Sequence, residues 1–175
     1  MREEVKARLE KMLESARETH DRFYRNAEPQ YEAAPMFFLY KGEELVTMVL
    51  VEIPEDAASK AMMTMAVRAT ADGHECDAFV FNSEGWTIPQ ESYATRLPEE
   101  RFSARVDRIE ILSMVVGTKE GELASQCAQI ERSGDHPKLI WGAPLFSENG
   151  DKVKSRFNIY GGPGDIRMED VATRH

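Results

Sequence analysis

Apolar residues in the first 25 positions recur at the spacing of one helical face, while the opposite face is charged. This pattern predicts an amphipathic helix that ends before Pro29. The apolar stripe consists of Val5, Leu9, Met12, Ala16 and Phe23. Such a stripe packs on the protein's own sheet, which is the commoner case, or on a second subunit.

The next two apolar runs predict a β-hairpin. MFFLY and LVTMVLVEI are joined by KGEE, a turn that contains a glycine. Both faces of Val46–Val51 are apolar, so we expect a central strand. Such a strand is covered on both sides, or by a helix on one side and a partner on the other.

A second helix is predicted from Pro54 to Asp72, with Gly73 at the position that follows a helix end. Glu55 and Asp56 lie in its first turn, where acidic side chains offset the helix dipole. Its alanines and methionines extend well around the cylinder. That distribution favours a largely buried helix over an exposed methionine groove for partners.

Four further strands follow, and Pro144 marks the last of them as an edge strand or a bulged one. They are Cys76–Phe81, Arg108–Thr118, Glu122–Arg132 and Lys138–Phe146. Asn149 and Gly150 then predict a hairpin turn, and the alternation of residues 153–159 predicts a half-exposed seventh strand.

The element order α-β-β-α-β-β-β-β, with a further strand at its end, lacks the βαβ alternation of a doubly wound sheet. It predicts an α+β fold, in which a mostly antiparallel sheet of six or seven strands carries two helices on one face. We expect one domain over residues 1–160 and a flexible, glycine-rich tail over residues 161–175.

Composition restricts the class of protein. The chain has 175 residues and a net charge of −9, which helps solubility and argues against nucleic-acid or anionic-membrane partners. The N-terminus is charged throughout and no apolar run approaches the length of a membrane span, so we expect a cytoplasmic protein. Cys76 and Cys127 form no CxxC pair, and each is expected to be a small core residue in a reducing compartment.

The common catalytic and nucleotide-binding motifs HExxH, GxSxG, GxxxxGK[ST] and GxGxxG do not occur in the sequence. The glycines at 161, 162 and 164 surround a proline, which removes a backbone donor, so a phosphate cradle is not expected. His74, Glu75, Cys76 and Asp77 alternate between the faces of a strand and have no second cluster. We therefore expect neither a metal nor a cofactor.

The stretch Phe81–Arg108 is long and polar for a connection inside a compact domain, and such connections are usually functional or disordered. Its apolar and aromatic content predicts an ordered flap, anchored by Trp86. If the flanking strands are antiparallel neighbours, Glu84 should lie near Arg108, as an architectural ion pair or in a cleft. The candidate ligand- or partner-binding residues are Glu84, Trp86, Arg105, Asp107, Arg108 and Glu110.

The segments AFVFNSEGWTIP and DRIEIL carry a family resemblance. A strand that ends in Ser-Glu-x-Trp, followed by a strand that opens with Arg-x-Glu, resembles a pattern of small, uncharacterised bacterial and phage α+β proteins. The resemblance covers a minor part of the chain. It implies a bacterial or phage cytosolic origin and supplies no catalytic residues.

Three functions follow as hypotheses. The first is a non-catalytic binding or assembly protein, such as a phage or prophage accessory or host-interacting protein. It would contact a protein partner, or a second copy of itself, through residues 83–108. The second is a small enzyme in which Glu84 or Asp107 is the acid or base and Arg108 orients an anionic substrate. The third is an acidic mimic of nucleic acid, although both charge signs are mixed in most segments.

Overall fold

The computed structural model describes residues 1–147 and Tyr160. The helices are α1 (Glu3–Asn26) and α2 (Ala57–Gly73), and two short 3₁₀ helices span Gln90–Thr95 and Phe102–Ala104. The strands are β1 (Met36–Lys41), β2 (Glu44–Leu50), β3 (Ala78–Thr87), β4 (Ile109–Thr118), β5 (Leu123–Glu131), β6 (Lys138–Trp141) and β7 (Leu145–Ser147).

The described strands form one antiparallel sheet in the order β2-β1-β3-β4-β5-β6, and β7 also pairs with β5. The predicted α+β class and the order of its elements are confirmed. The predicted strand Lys138–Phe146 is divided into β6 and β7, which lie along one edge of β5. Pro144 lies in the gap between them, where a residue without a backbone N–H does least damage to strand pairing.

The two helices lie on opposite faces of the sheet, so the expectation that they share a face is wrong. Alternate residues of a strand point to opposite faces. In β3, Ala78 and Val80 pack in the cluster that contains α1, whereas Phe79 and Phe81 pack in the cluster that contains α2. All four side chains are buried. A strand with two buried apolar faces needs a cover on each side, and one helix supplies each cover.

α1 confirms the predicted N-terminal helix. Its buried residues Leu9, Met12, Leu13 and Ala16 pack on β3, β4 and β5. Each large apolar side chain removed from water in this way contributes about 1.5–3 kcal/mol. Phe23, which the sequence places in the same stripe, is instead exposed.

β2 is an edge strand, so the expectation that it is central and covered on both sides is wrong. Among the strands that the structure describes it pairs only with β1, and the register shifts between Leu39 and Tyr40. Its exposed apolar residues are Leu45, Val46, Met48 and Leu50. Val49 points to the other face and packs in the cluster beneath α2. Both faces of this strand are therefore apolar, but one face packs in the cluster beneath α2 and the other is exposed to solvent.

α2 is buried on one face only, so the expectation of a largely buried helix is wrong. Val67 and Ala71 face the sheet and are almost completely buried. Met62 and Met65 point to solvent, with 71% and 69% of their surface exposed. Met63 packs against the cluster beneath α2, but Met62 and Met65 do not fill the core, and the helix presents an apolar face to solvent.

The two cysteines differ from each other. Cys76 is buried in the cluster beneath α2, as expected, but Cys127 is exposed, so its predicted place in the core is wrong. Burial alternates along the second half of β5, and Cys127 takes one of the exposed positions there.

Two predictions fall outside the described residues: the strand over 153–159 with its turn at Asn149-Gly150, and the tail over 161–175. The single domain over residues 1–160 stays a prediction. In the part of the chain that the structure describes, neither helix has the length and apolar character needed to cross a membrane.

Candidate functional site

The β3–β4 hairpin extends beyond its neighbours in the sheet. β3 runs to Thr87, six residues past the predicted end at Phe81, and Thr87 is paired with Ile109. β1 accompanies β3 only as far as Asn82. The first part of the polar stretch is therefore strand rather than flap. Asn82 and Ser83 are still buried, whereas residues 84–87 lie beyond the two apolar clusters and are half-buried.

Alternation along the hairpin directs three candidate side chains to the α1 side of the sheet. Glu84 is opposite Leu112 in β4, and Trp86 is opposite Glu110. Leu112 packs with Tyr24, which lies in the last turns of α1. The structure thus brings Glu84, Trp86 and Glu110 together beside the C-terminal end of α1.

Arg132, which follows β5, is the centre of this arrangement. Its Nε donates to both Glu110 oxygens at 3.0 and 2.9 Å, and its Nη2 donates to Glu110 Oε1 at 2.8 Å. Nη2 also donates to Glu84 Oε2 at 3.1 Å. Nη1 donates to the carbonyl oxygens of Pro29, at 2.9 Å, and Tyr31. One guanidinium therefore joins two carboxylates to the connection between α1 and β1.

Glu84 is held by three donors from three parts of the chain. Its Oε1 accepts from the Tyr24 hydroxyl and from the backbone N–H of Ala33, at 2.7 Å in the second case, and its Oε2 accepts from Arg132. Burial raises the pKa of Glu84, and the three donors act in the opposite direction. Burial and the neighbouring carboxylate raise the pKa of Tyr24, so its hydroxyl keeps its proton.

Arg108 does not pair with Glu84, contrary to the expectation from the sequence. β3 and β4 are antiparallel neighbours as expected, but the register pairs Glu84 with Leu112, four positions further along β4. The guanidinium of Arg108 lies 4.6 Å from the ring centroid of Trp86 and donates to the carbonyl of Ser103. It therefore covers the aromatic ring and closes the loop instead of neutralising the carboxylate.

Arg105 and Asp107 belong to a separate cluster inside the tip segment, which we define as residues 88–108 between β3 and β4. Arg105 donates to both Asp107 oxygens, at 2.7 and 2.9 Å, and to Glu100 at 2.9 Å. Ser92 donates to Asp107 at 2.6 Å. Hydrogen bonds from Arg105 and Ser92 hold the pKa of Asp107 well below its usual range. This cluster fastens the two halves of the tip segment to each other.

Aromatic contacts support the same segment. The Tyr93 and Phe102 rings meet edge to face with centroids 5.8 Å apart, and the Arg96 guanidinium lies 4.4 Å from the Phe102 centroid. Ile88 anchors the segment in the protein and is buried. In contrast, Leu97 and Val106 point to solvent, and half of Tyr93 does so. The tip segment is thus internally bonded but presents apolar side chains outwards.

We call Glu84 and Glu110, with their partners Tyr24 and Arg132, the carboxylate cluster. The sequence analysis missed two of these residues, Tyr24 and Arg132. Tyr24 lies one position beyond the recognised apolar stripe of the first helix. Arg132 follows Ala128 and Ile130 on the α1 face of β5, so its face was readable from strand alternation. The partners of Arg132 could not be read from the sequence, because they depend on the order of β3, β4 and β5 across the sheet.

The carboxylate cluster has the chemistry of an architectural network. A general acid needs a carboxyl group with a raised pKa, as in Glu84, but also access to a substrate. Both Glu84 oxygens are occupied by protein donors. Within residues 1–147 and Tyr160, no group of three or more histidine, cysteine or acidic side chains is arranged to hold a metal ion.

Comparison with known proteins identifies a family. The model of the family described as bacteriophage lambda protein ea47 matches residues 1–154. No curated protein and no solved structure matches the chain. The family match covers both helices, all described strands and every candidate site residue.

Proposed function

The chain belongs to the family of bacteriophage lambda protein ea47, and from this premise we propose that it is a phage-encoded accessory protein that binds another protein through the tip segment without catalysing a reaction. The observation that supports this most is that Leu97, Val106 and Tyr93 are exposed on a segment that is bonded internally. Apolar side chains exposed together on an ordered loop are typical of a contact surface for a partner.

The internal bonds of the tip segment favour a preformed contact surface. A loop that is already fixed loses little conformational entropy on binding, so more of its apolar burial appears as affinity. Arg105 bonds with Asp107 and Glu100 inside the segment. These charged side chains bond with each other and fix the loop, whereas Leu97 and Val106 remain exposed and can contact a partner.

The enzyme alternative has one observation in its favour, the raised pKa of Glu84. An enzyme of this kind also needs a cation that orients an anionic substrate. Arg108 does not meet this requirement, because it covers Trp86 and does not point at the Glu84 carboxylate. Arg132 lies beside Glu84, but five of its hydrogen bonds go to protein groups other than Glu84. An anionic substrate would have to displace those bonds, which argues against a cleft that binds and releases ligands.

The acidic-mimic alternative requires a surface of one charge sign. The tip segment instead alternates arginines with acids: Arg96, Glu99, Glu100, Arg101, Arg105, Asp107 and Arg108. A partner that recognises phosphate-like spacing would find cations among the acids. The charge pattern therefore supports a protein partner of mixed polarity.

The test compares a tip variant with a surface control. Leu97→Asp combined with Val106→Asp should abolish recovery of the partner when the tagged full chain is purified from phage-infected cells. The control combines Met48→Asp with Leu50→Asp, which alters exposed apolar residues of β2, an edge strand separated from β3 by β1. The recovered partner is then purified and titrated against all three proteins.

We expect the control to bind like the unaltered chain and the tip variant to bind at least about 100-fold more weakly, since central apolar contacts dominate interface energies. Circular dichroism and urea unfolding verify that both variants keep the fold. Equal binding by the tip variant would exclude the tip segment as the contact surface. Turnover of a substrate by the purified chain, lost in Glu84→Gln, would instead establish the enzyme.

A further inference from the structure

α2 has two apolar faces, and the sheet covers only one of them. Val67 and Ala71 pack on the sheet. Met62 and Met65 lie on the opposite side of the cylinder and are 71% and 69% exposed. Surface helices normally place polar residues opposite the buried face. The solvent face of α2 therefore has the composition of a contact surface.

The exposed apolar residues form a stripe with the spacing of a helix–helix seam. The α2 stripe consists of Ala58, Ala61, Met62, Met65, Ala66 and Ala69; Ala61 is half-buried and the others are exposed. Positions 58, 62, 65 and 69 are separated by four, three and four residues, which is the spacing of the seam between two packed helices. Alanines let helix backbones approach closely, and methionines adapt to the space that remains.

The α2 stripe is the same when it is read in either direction. Reversal about the point between residues 63 and 64 exchanges Ala58 with Ala69, Ala61 with Ala66 and Met62 with Met65. A two-fold symmetric interface uses one patch on both subunits, so that patch must be complementary to itself. In an antiparallel pair of α2 helices each methionine would meet a methionine, and each alanine an alanine.

Charge at the two ends of α2 favours the same arrangement. Glu55 and Asp56 precede the helix and make its N-terminal end negative. At the other end Arg68, at 3.8 Å, and Lys119, at 3.3 Å, flank Asp72, so two cations lie near the C-terminal end of the helix. Antiparallel packing places the acidic residues before each helix beside these cations of its partner, and the two helix dipoles are then antiparallel.

We propose that the α2 stripe is a self-association surface, through which two copies of this chain pair by antiparallel contact of their α2 helices about a two-fold axis. One helix against one helix buries less than the 1,200–2,000 Å² that is typical of stable complexes, so we expect a dissociation constant of about 1–100 μM. The stripe is separate from the tip segment, and the two proposals can fail independently.

Sedimentation velocity of the purified full chain tests the association itself. The unaltered protein should shift from monomer to dimer as its concentration rises through the range of about 1–500 μM. Met62→Glu combined with Met65→Glu should remain monomeric throughout, because four carboxylates would meet at the seam. The matched control, Met48→Glu with Leu50→Glu, places two charges on the similarly exposed apolar edge strand and should dimerise like the unaltered chain.

Disulfide formation tests the direction of packing. In a background with Cys127→Ser, the double variant Ala58→Cys, Ala69→Cys should form covalent dimers under mild oxidation, since position 58 faces position 69 of the other copy. Ala58→Cys alone should not, because its twin lies about 16 Å away along the seam, at 1.5 Å per residue, and a disulfide needs Cα atoms about 4.4–6.8 Å apart.

Any of three results would overturn the proposal. A protein that stays monomeric at every concentration would leave the α2 stripe to a different partner. Covalent dimers from Ala58→Cys alone, at a yield equal to that of the double variant, would show a parallel contact and exclude the antiparallel arrangement. Dimerisation that survives the Met62, Met65 double substitution would place the interface elsewhere.

Discussion

Arg132 and Glu84 are separated by 48 positions in the chain, yet Arg132 Nη2 donates to Glu84 Oε2 across 3.1 Å. The contact joins the end of β5 to the protruding end of β3, with β4 between them. Glu84 also accepts from the hydroxyl of Tyr24 in α1. The pair therefore connects the sheet to the helix that covers it, and its main effect is on the stability of the fold.

Arg132→Met tests that effect. The substitution keeps much of the aliphatic volume but leaves Glu84 and Glu110, whose side chains are only 12% and 19% exposed, without their cation. A buried charge that loses its partner is strongly destabilising. We expect the free energy of unfolding to fall by about 2–4 kcal/mol, measured by urea denaturation at neutral pH.

Lys6→Met is the comparison, because it removes a pair with Glu10 in which the side chains are 43% and 51% exposed, together with a cation contact 5.5 Å from the Phe146 ring centroid. It should cost at most about 1 kcal/mol. Adding Glu84→Gln and Glu110→Gln to Arg132→Met should restore part of the lost stability, since neutral amides are cheaper to bury than carboxylates. If Arg132→Met is no more destabilising than Lys6→Met, the carboxylate cluster does not stabilise the fold.

The sequence predicted the elements better than their arrangement. Periodicity identifies α1, the β1–β2 hairpin and the β4–β5 pair, because helical and strand spacing are local properties. It does not say which face of the sheet a helix covers. Both faces of Ala78–Phe81 are buried, and this pattern was compatible with helices on either side. The edge position of β2 likewise depends on the order of strands, which no local pattern records.

The candidate site shows the same limit. Strand alternation places three side chains on one face of the sheet once β3 and β4 are paired: those of Glu84, Trp86 and Glu110. Arg132, the cation that joins Glu84 to Glu110, follows β5, the next strand in the sheet. Its distance from Glu84 depends on a register in which Glu84 faces Leu112. A shift of a few residues would have placed Arg108 there instead. Arg108, the expected partner of Glu84, therefore lies on the correct face of the sheet but at the wrong position along that face.

Because His20 is buried, we expect the stability of the fold to depend on pH. It is 5% exposed, and neither ring nitrogen has a hydrogen-bond partner in the described part of the structure. Burial lowers its pKa from 6.5 to about 4, and the nearby Asp21 acts in the opposite direction. The unfolded chain therefore binds more protons between these values. Stability contributed by neutral His20 is complete above pH 6.5 and is lost as the pH falls towards 4.

His20→Leu removes this titrating group. The loss of unfolding free energy between pH 7 and pH 4 should be smaller in the variant by about 3 kcal/mol, which corresponds to the interval between 6.5 and 4. Glu84 titrates in both proteins, so its contribution cancels in the difference. The control, His74→Gln, alters an exposed histidine. Parallel stability curves for His20→Leu and the unaltered chain would show that His20 does not carry this dependence.

Arg105 predicts a local effect in the tip segment. Arg105→Gln removes the bonds to Asp107 and Glu100 that fasten its two halves. Amide hydrogen exchange should become faster across residues 90–107, while β3 and β4 exchange as before, because the segment opens without global unfolding. Glu99→Gln, at an exposed position of the same segment, is the comparison. Faster exchange throughout β4 would contradict a purely local role.

We expect the sheet to tolerate no side chain at position 117, which is a glycine. A Cβ at this position in β4 would lie 2.4 Å from Phe79 Cε1 and 2.8 Å from Leu123 Cδ2, both in the cluster beneath α2. The Phe79 ring is fully buried and has no free space to move into. Gly117→Ala should lower the free energy of unfolding by about 1–3 kcal/mol, which is typical of overpacking.

A second substitution distinguishes this clash from a general loss of backbone fit. Phe79→Leu removes the ring atoms nearest to position 117 and leaves the contact with Leu123 Cδ2, so Gly117→Ala should cost less, but not nothing, in a chain that already carries Phe79→Leu. Gly134→Ala, where the nearest atom to the added Cβ lies 3.7 Å away, should be close to neutral. The double-mutant cycle measures the coupling directly. Equal costs of Gly117→Ala with and without the Phe79 ring would mean that the ring does not exclude the methyl group.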